Sequence, residues 1–204
     1  MFKFREKSLI LMIGPSKSGK SLLCLKLLKN LSIFEGKYDK IIYIASYVPS
    51  FSKELKKVVF LDKVPTEELP SNSIIIFDDM IYNPEGMKLA SQYAFRDCNH
   101  RNSIAIVMTQ RIYVSNDNFR MISDNCDYII LFKQLRGEQK LKMLARDVFP
   151  SKLQKYFFES YNHATKEQYG YLVIDIGFAT IKSKSLYSRI TAEEGVGLQY
   201  KDDE

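Results

Sequence analysis

The chain has 204 residues, 46% of them hydrophobic, which is enough for one domain with a sizeable core. No apolar run approaches the roughly 18 residues that span a bilayer, the charged start Met1–Lys7 is not a secretory signal, and no Cys/His cluster has zinc-ligand spacing. Three widely spaced cysteines exclude a disulfide framework and point to a reducing compartment, while a formal charge of +6, spread along the chain, suits a polyanionic partner.

In chain order, Ser8–Ile13 reads as a buried strand. It runs into Gly14-Pro15-Ser16-Lys17-Ser18-Gly19-Lys20-Ser21, which fits G-x-x-x-x-G-K-[ST], the phosphate-binding P-loop (Walker A). Leu22–Leu31 follows as a helix, with Cys24, Leu27, Leu28 and Leu31 on one face. Strand, glycine loop and helix is the order that lets backbone N–H groups and a helix N-terminus face phosphates. Gly14 and Gly19 allow close backbone approach. Lys20 is placed to reach the β- and γ-phosphates of ATP, and the Ser21 hydroxyl to ligate Mg²⁺. Pro15, Ser16, Lys17 and Ser18 complete the nucleotide-binding loop, with Pro15 and Lys17 at variable positions.

Lys40–Ala45 is a second strand, Phe51–Lys57 a short helical stretch and Val58–Leu61 a short strand. Ser73–Phe77, nearly all β-branched, is the strongest strand pattern and ends in Asp78-Asp79. This is the Walker B pattern. Asp78 would hold Mg²⁺, and Asp79, one residue further toward the γ-phosphate, would orient or deprotonate a water. Pro84–Asn99 is helical, and Ile104–Met108 is a strand that ends near Gln110. An amide there can donate to phosphate and accept from water at once. Helices are expected near Phe119–Asn125, Gly137–Phe149 and Ser151–Tyr161, and a strand at Tyr128–Phe132. Tyr171–Asp175 and Phe178–Ile181 flank Ile176-Gly177 and read as a terminal hairpin. Continuous apolar strands separated by helices imply an α/β fold, with a mostly parallel sheet covered on both faces and ligands at the carboxyl ends of its strands.

This string of motifs resembles the poxvirus-type genome-packaging ATPases of the FtsK–HerA superfamily, over about residues 8–182. The residues that carry it are Ile13–Ser21, Ile42–Ser46 leading to Pro49, Ile75–Asp79, His100-Arg101-Asn102-Ser103 before the Gln110 strand, and the terminal hairpin. The resemblance implies a P-loop NTPase with a RecA-like sheet, Ile104–Met108 inserted between the two Walker strands, and residues 183–204 as a tail. It also implies a homo-oligomeric ring of five or six subunits that hydrolyses ATP to move double-stranded DNA into a capsid, independent of sequence and with capsid or vertex proteins as partners. Such a protein acts inside the infected host at the assembly site, or travels with the virion. Lysines at the ring mouth would contact DNA phosphates. A trans arginine finger is expected as well. Arg96, Arg101 and Arg111 lie within reach of that role; the family's Arg-His before the Gln strand reads Asn99-His100 here, so Arg101, or Arg96 as the alternative, takes the missing arginine's place or the finger comes from elsewhere.

Two other readings compete. A nucleoside kinase would lack paired acids after the Walker B strand. A nucleotide-gated scaffold would bind ATP without hydrolysing it. No Asn-Lys-x-Asp guanine signature is present.

Overall fold

The computed structural model describes residues 2–177, 185–194 and 197–200. Each apolar run read as a buried strand before residue 178 is one, with shifts of a residue at some ends: β1 (Leu9–Ile13), β2 (Lys40–Ala45), β3 (Val58–Leu61), β4 (Ser73–Asp78), β5 (Ile104–Thr109), β6 (Tyr128–Phe132) and β7 (Tyr171–Asp175). Two more follow, β8 (Ser185–Ser188) and β9 (Leu198–Tyr200). The expected strand Phe178–Ile181 lies outside the described residues. The described partner of β7 on that side is β8, and the stretch after residue 182 thus extends the sheet.

The nine strands among the described residues join one sheet, in the order β3-β2-β4-β5-β1-β6-β7-β8-β9. The pairs from β3 through β6 are parallel, and those from β6 through β9 are antiparallel. β5 sits between the two Walker strands, with Ile13 opposite Thr109 and Asp78 opposite Met108. The phosphate loop, the paired aspartates and Gln110 therefore leave the sheet at the same edge.

The continuous apolar runs have a simple cause. Alternate residues of a strand point to opposite faces, and both faces here are covered. Leu9, Leu11 and Ile13 of β1 join one buried cluster, and Ile10 and Met12 join the other. The second cluster contains Leu23, Cys24, Leu27 and Leu28 from α1 (Lys20–Lys29). The first is closed by α2 (Pro84–Gln92), α4 (Asp117–Asn125), α5 (Glu138–Val148) and α6 (Gln154–Ala164). The helix expected over 84–99 is one run in three pieces: α2, a π turn at Tyr93–Asp97, and α3 (Cys98–His100).

Helix starts follow their capping residues. Asn83 accepts from the Gly86 amide at 2.9 Å with Pro84 behind it, and Asn116 accepts from the Phe119 amide at 3.1 Å. α1 differs: Gly19 stands at its cap with no side-chain bond, so its leading N–H groups are left for a ligand.

Candidate functional site

The phosphate loop is bent by two left-handed residues, Lys17 at φ 62° and Gly19 at φ 107°. Alternating handedness turns successive N–H groups inward into an anion-binding nest. Gly14 makes the close approach. A Cβ there would meet Ser18 Oγ at 2.4 Å and Phe132 Cβ at 2.7 Å. Its amide donates to the Thr109 carbonyl at 3.1 Å, which ties the loop to β5.

Lys20 is buried, and its Nζ donates to the carbonyls of Gly14 at 2.7 Å and Pro15 at 3.1 Å. Burial lowers its pKa, while the charges of Asp78 and Asp79 act to raise it. Both carboxylates are thus close enough to the loop lysine to act on it electrostatically. Asp78 itself is pushed up by burial, with a Tyr43 hydrogen bond and the Lys20 charge opposing that push.

Asp79 has a left-handed backbone, φ 52° and ψ 41°. Such a conformation costs about 1–3 kcal/mol and concentrates at functional sites. Its amide donates to the Met108 carbonyl at 3.1 Å, and Gln110 Nε2 donates to its Oδ2 at 2.6 Å. Its other oxygen, Oδ1, is buried without a hydrogen-bond partner among the described residues, as is Ser18 Oγ in the loop. Buried polar atoms of this kind normally find a partner.

No family model matches the chain, and no curated protein matches it. Solved structures do. The genome packaging NTPase B204 of Sulfolobus turreted icosahedral virus 2, in complex with sulfate, is 19% identical, with a TM-score of 0.58 over 88% of this chain and 94% of that one. B204, the DNA-packaging ATPase from Sulfolobus turreted icosahedral virus, is 17% identical, with a TM-score of 0.55 over 98% of this chain and 100% of that one. The chain shares the fold of the viral genome-packaging NTPases. A further likeness, at 12% identity and a TM-score of 0.52, is to the cytoplasmic domain of the type VII secretion ATPase EccC of Thermomonospora curvata, and spans 25% of that protein.

Within this packaging-NTPase fold, Gly14–Ser21, Asp78, Asp79 and Gln110 come together and the two arginines do not. Arg101 precedes β5, at the amino end of the strands. It donates to the Leu69 carbonyl at 2.9 Å and pairs with Glu68. Arg96 is exposed on the π turn. Arg111, next to Gln110, lies over the exposed Tyr82 ring at 5.9 Å.

Two residues at the site carry no motif. Tyr43 on β2 donates to Asp78 Oδ2 at 2.7 Å. Its signal in the sequence is a phenol inside a buried apolar run, where a hydroxyl must find a partner. Tyr169, also left-handed at φ 63°, packs so closely on the loop that a Cβ on Gly19 would meet its Cβ at 2.9 Å. A cavity of about 240 Å³ runs from Leu22 and Lys26 of α1 to Tyr169. A larger one, about 830 Å³, lies at the other end of the sheet beside Arg5, Tyr128 and Asp175, and touches no residue of the phosphate loop.

The residues fit a magnesium–nucleotide. Ser21 and Asp78 offer hard oxygens, which suit Mg²⁺ held by one or two protein groups together with phosphates and water. Gly14 and Gly19 leave no room for a Cβ, which would strike Ser18 and Phe132 at the first and Tyr169 at the second, so the loop keeps its close-packed bend. Among the described residues no group of three or more His, Cys, Asp or Glu could hold a metal alone, and no helix is long and apolar enough to cross a membrane.

Proposed function

We propose that this protein is an ATP-hydrolysing motor that drives double-stranded DNA into a viral capsid as a homo-oligomeric ring. One observation carries the reading: the loop with Lys20 and the strand ends with Asp78 and Asp79 leave the sheet at one edge, with Gln110 bonded to Asp79. The fold shared with genome-packaging NTPases supports it.

In this reading the loop amides and Lys20 bind the phosphates, and Ser21 and Asp78 hold the cation. Magnesium, when bound, neutralises phosphate charge and orients the terminal group. Asp79 takes the proton of the attacking water as its oxygen bonds to the γ-phosphorus and the ADP oxygen leaves. Gln110 holds Asp79 in position. The cavity beside Leu22 and Tyr169 receives the nucleoside. An arginine from a neighbouring subunit stabilises the transferring group. Arg101 or Arg96 of that subunit is the candidate, and in the isolated chain the Arg101 guanidinium is bonded to Glu68 and the Leu69 carbonyl. Surface lysines grip DNA phosphates, so binding is sequence-independent and weakens with salt.

The test is the rate of ATP hydrolysis against protein concentration, with and without duplex DNA. A steep rise with concentration, stimulated by DNA, supports a ring with shared sites. Phosphate transfer to a nucleoside with none to water would favour a kinase. Tight ATP binding in a DNA-bound ring without hydrolysis would make the protein a scaffold.

A further inference from the structure

Tyr43 is fully buried in the middle of β2, between β3 and β4. Its ring is held by Phe60 of β3, with centroids 5.3 Å apart, and by Phe51, edge-on at 5.9 Å. Its hydroxyl projects to the carboxyl ends of the strands, where it donates to Asp78 Oδ2 at 2.7 Å. Asp78 is one of the side chains that offer oxygens to a divalent cation, and Tyr43 reaches it from a neighbouring strand far away in sequence.

We infer that Tyr43 is a positioning residue for the cation: by bonding the Asp78 carboxylate through its hydroxyl, it sets how tightly the site takes Mg²⁺ with its nucleotide, and leaves phosphate binding by the loop unchanged. The inference rests on the ATP-binding reading above. Its physical basis is rotamer control. Without the phenol, the Asp78 carboxylate can rotate about its side-chain bonds. Groups that orient a metal ligand typically contribute roughly 10–100-fold in affinity.

Tyr43→Phe keeps the ring against Phe51 and Phe60 and removes only the oxygen. Binding of a fluorescent, slowly hydrolysed ATP analogue is titrated with Mg²⁺, and again in EDTA, with Mn²⁺ paramagnetic resonance reporting the cation directly. Expected is a Mg²⁺ half-saturation roughly 10–100-fold higher, weaker Mn²⁺ binding in the nucleotide complex, and unchanged affinity in EDTA. In an Asp78→Asn background, Tyr43→Phe should add no further shift. Equal losses with and without metal, or no change in half-saturation, overturn the inference. If Tyr43→Phe does not fold, Phe60→Leu, which loosens the ring and keeps the hydroxyl, should shift half-saturation several-fold in the same direction, and an unchanged value overturns it. Wild-type protein that binds no nucleotide in either condition removes the ATP reading itself, an outcome distinct from binding that is indifferent to Tyr43.

Discussion

Gln110 donates a 2.6 Å hydrogen bond from Nε2 to Oδ2 of Asp79, which joins the ends of β5 and β4 at the phosphate loop. The bond reaches an acidic residue whose backbone is already held in a left-handed turn. Hydrogen bonds to charged groups are worth about 1.5–3 kcal/mol. Gln110→Ala should therefore slow hydrolysis by roughly tenfold to a hundredfold with nucleotide affinity nearly unchanged. Gln110→Glu should be worse, since it sets a second carboxylate against Asp79. Steady-state kinetics with a parallel binding titration separate the two effects.

Asp79→Asn should leave ATP binding intact and reduce hydrolysis by about 10²–10⁴-fold, the usual contribution of a general base. Lys20→Ala should lose both, because Lys20 faces the phosphates while Asp79 faces the water. Retained hydrolysis in either variant would show that the chemistry lies elsewhere.

Gly19→Ala tests the loop geometry. The residue sits at φ 107°, and its new Cβ would meet Tyr169 Cβ at 2.9 Å. Strain in the left-handed region alone costs about 1–2 kcal/mol. Expected are a lower melting temperature and lost nucleotide binding. Adding Tyr169→Ala should recover part of the melting temperature, since it relieves the contact and leaves the backbone strained.

Nucleotide affinity in EDTA should fall with rising pH below the ordinary lysine value of 10.5, because burial lowers the Lys20 pKa. The ammonium binds phosphate and the amine does not, so affinity is full below the lowered pKa and lost as pH rises through it. The same shift favours the folded free protein at high pH: the buried charge is penalised below both pKa values, and the penalty disappears once Lys20 is neutral in both states. Lys20→Arg should flatten the affinity profile, since guanidinium stays charged.

Arg5 and Asp175 form a two-point ion pair at 2.7 and 2.8 Å at the far end of the sheet, beneath the Tyr128 ring. Asp175 is 7% exposed, so removing its partner leaves a carboxylate with little access to water. Arg5→Met should lower unfolding free energy by about 3 kcal/mol in denaturant melts and leave nucleotide affinity unchanged.

Much of this was legible in the chain itself. Runs such as Ile74-Ile75-Ile76-Phe77 and Ile104-Ala105-Ile106 are apolar at every position, which only a strand covered on both faces requires. The glycine loop and the paired aspartates are contiguous motifs. Tyr169 was not legible as a site residue, because neither type nor spacing marks it, and for Tyr43 the one signal was a phenol inside an apolar run. Tyr43 reads as one more core aromatic until β2 is set beside β4, with Ala45 opposite Asp78.

Sequence alone determined the strands as far as β7, the glycine loop and the identity of the acids, since these depend on local periodicity and on which residues carry oxygen, nitrogen or no side chain. Tertiary structure decided the strand order, the addition of β8 and β9 to the sheet, the bond from Gln110 to Asp79, the bond from the Tyr43 phenol to Asp78, and the placing of Arg101 away from the site. Each of those is a relation between residues distant along the chain. It depends on which strands pair and in what register, and no local pattern encodes that.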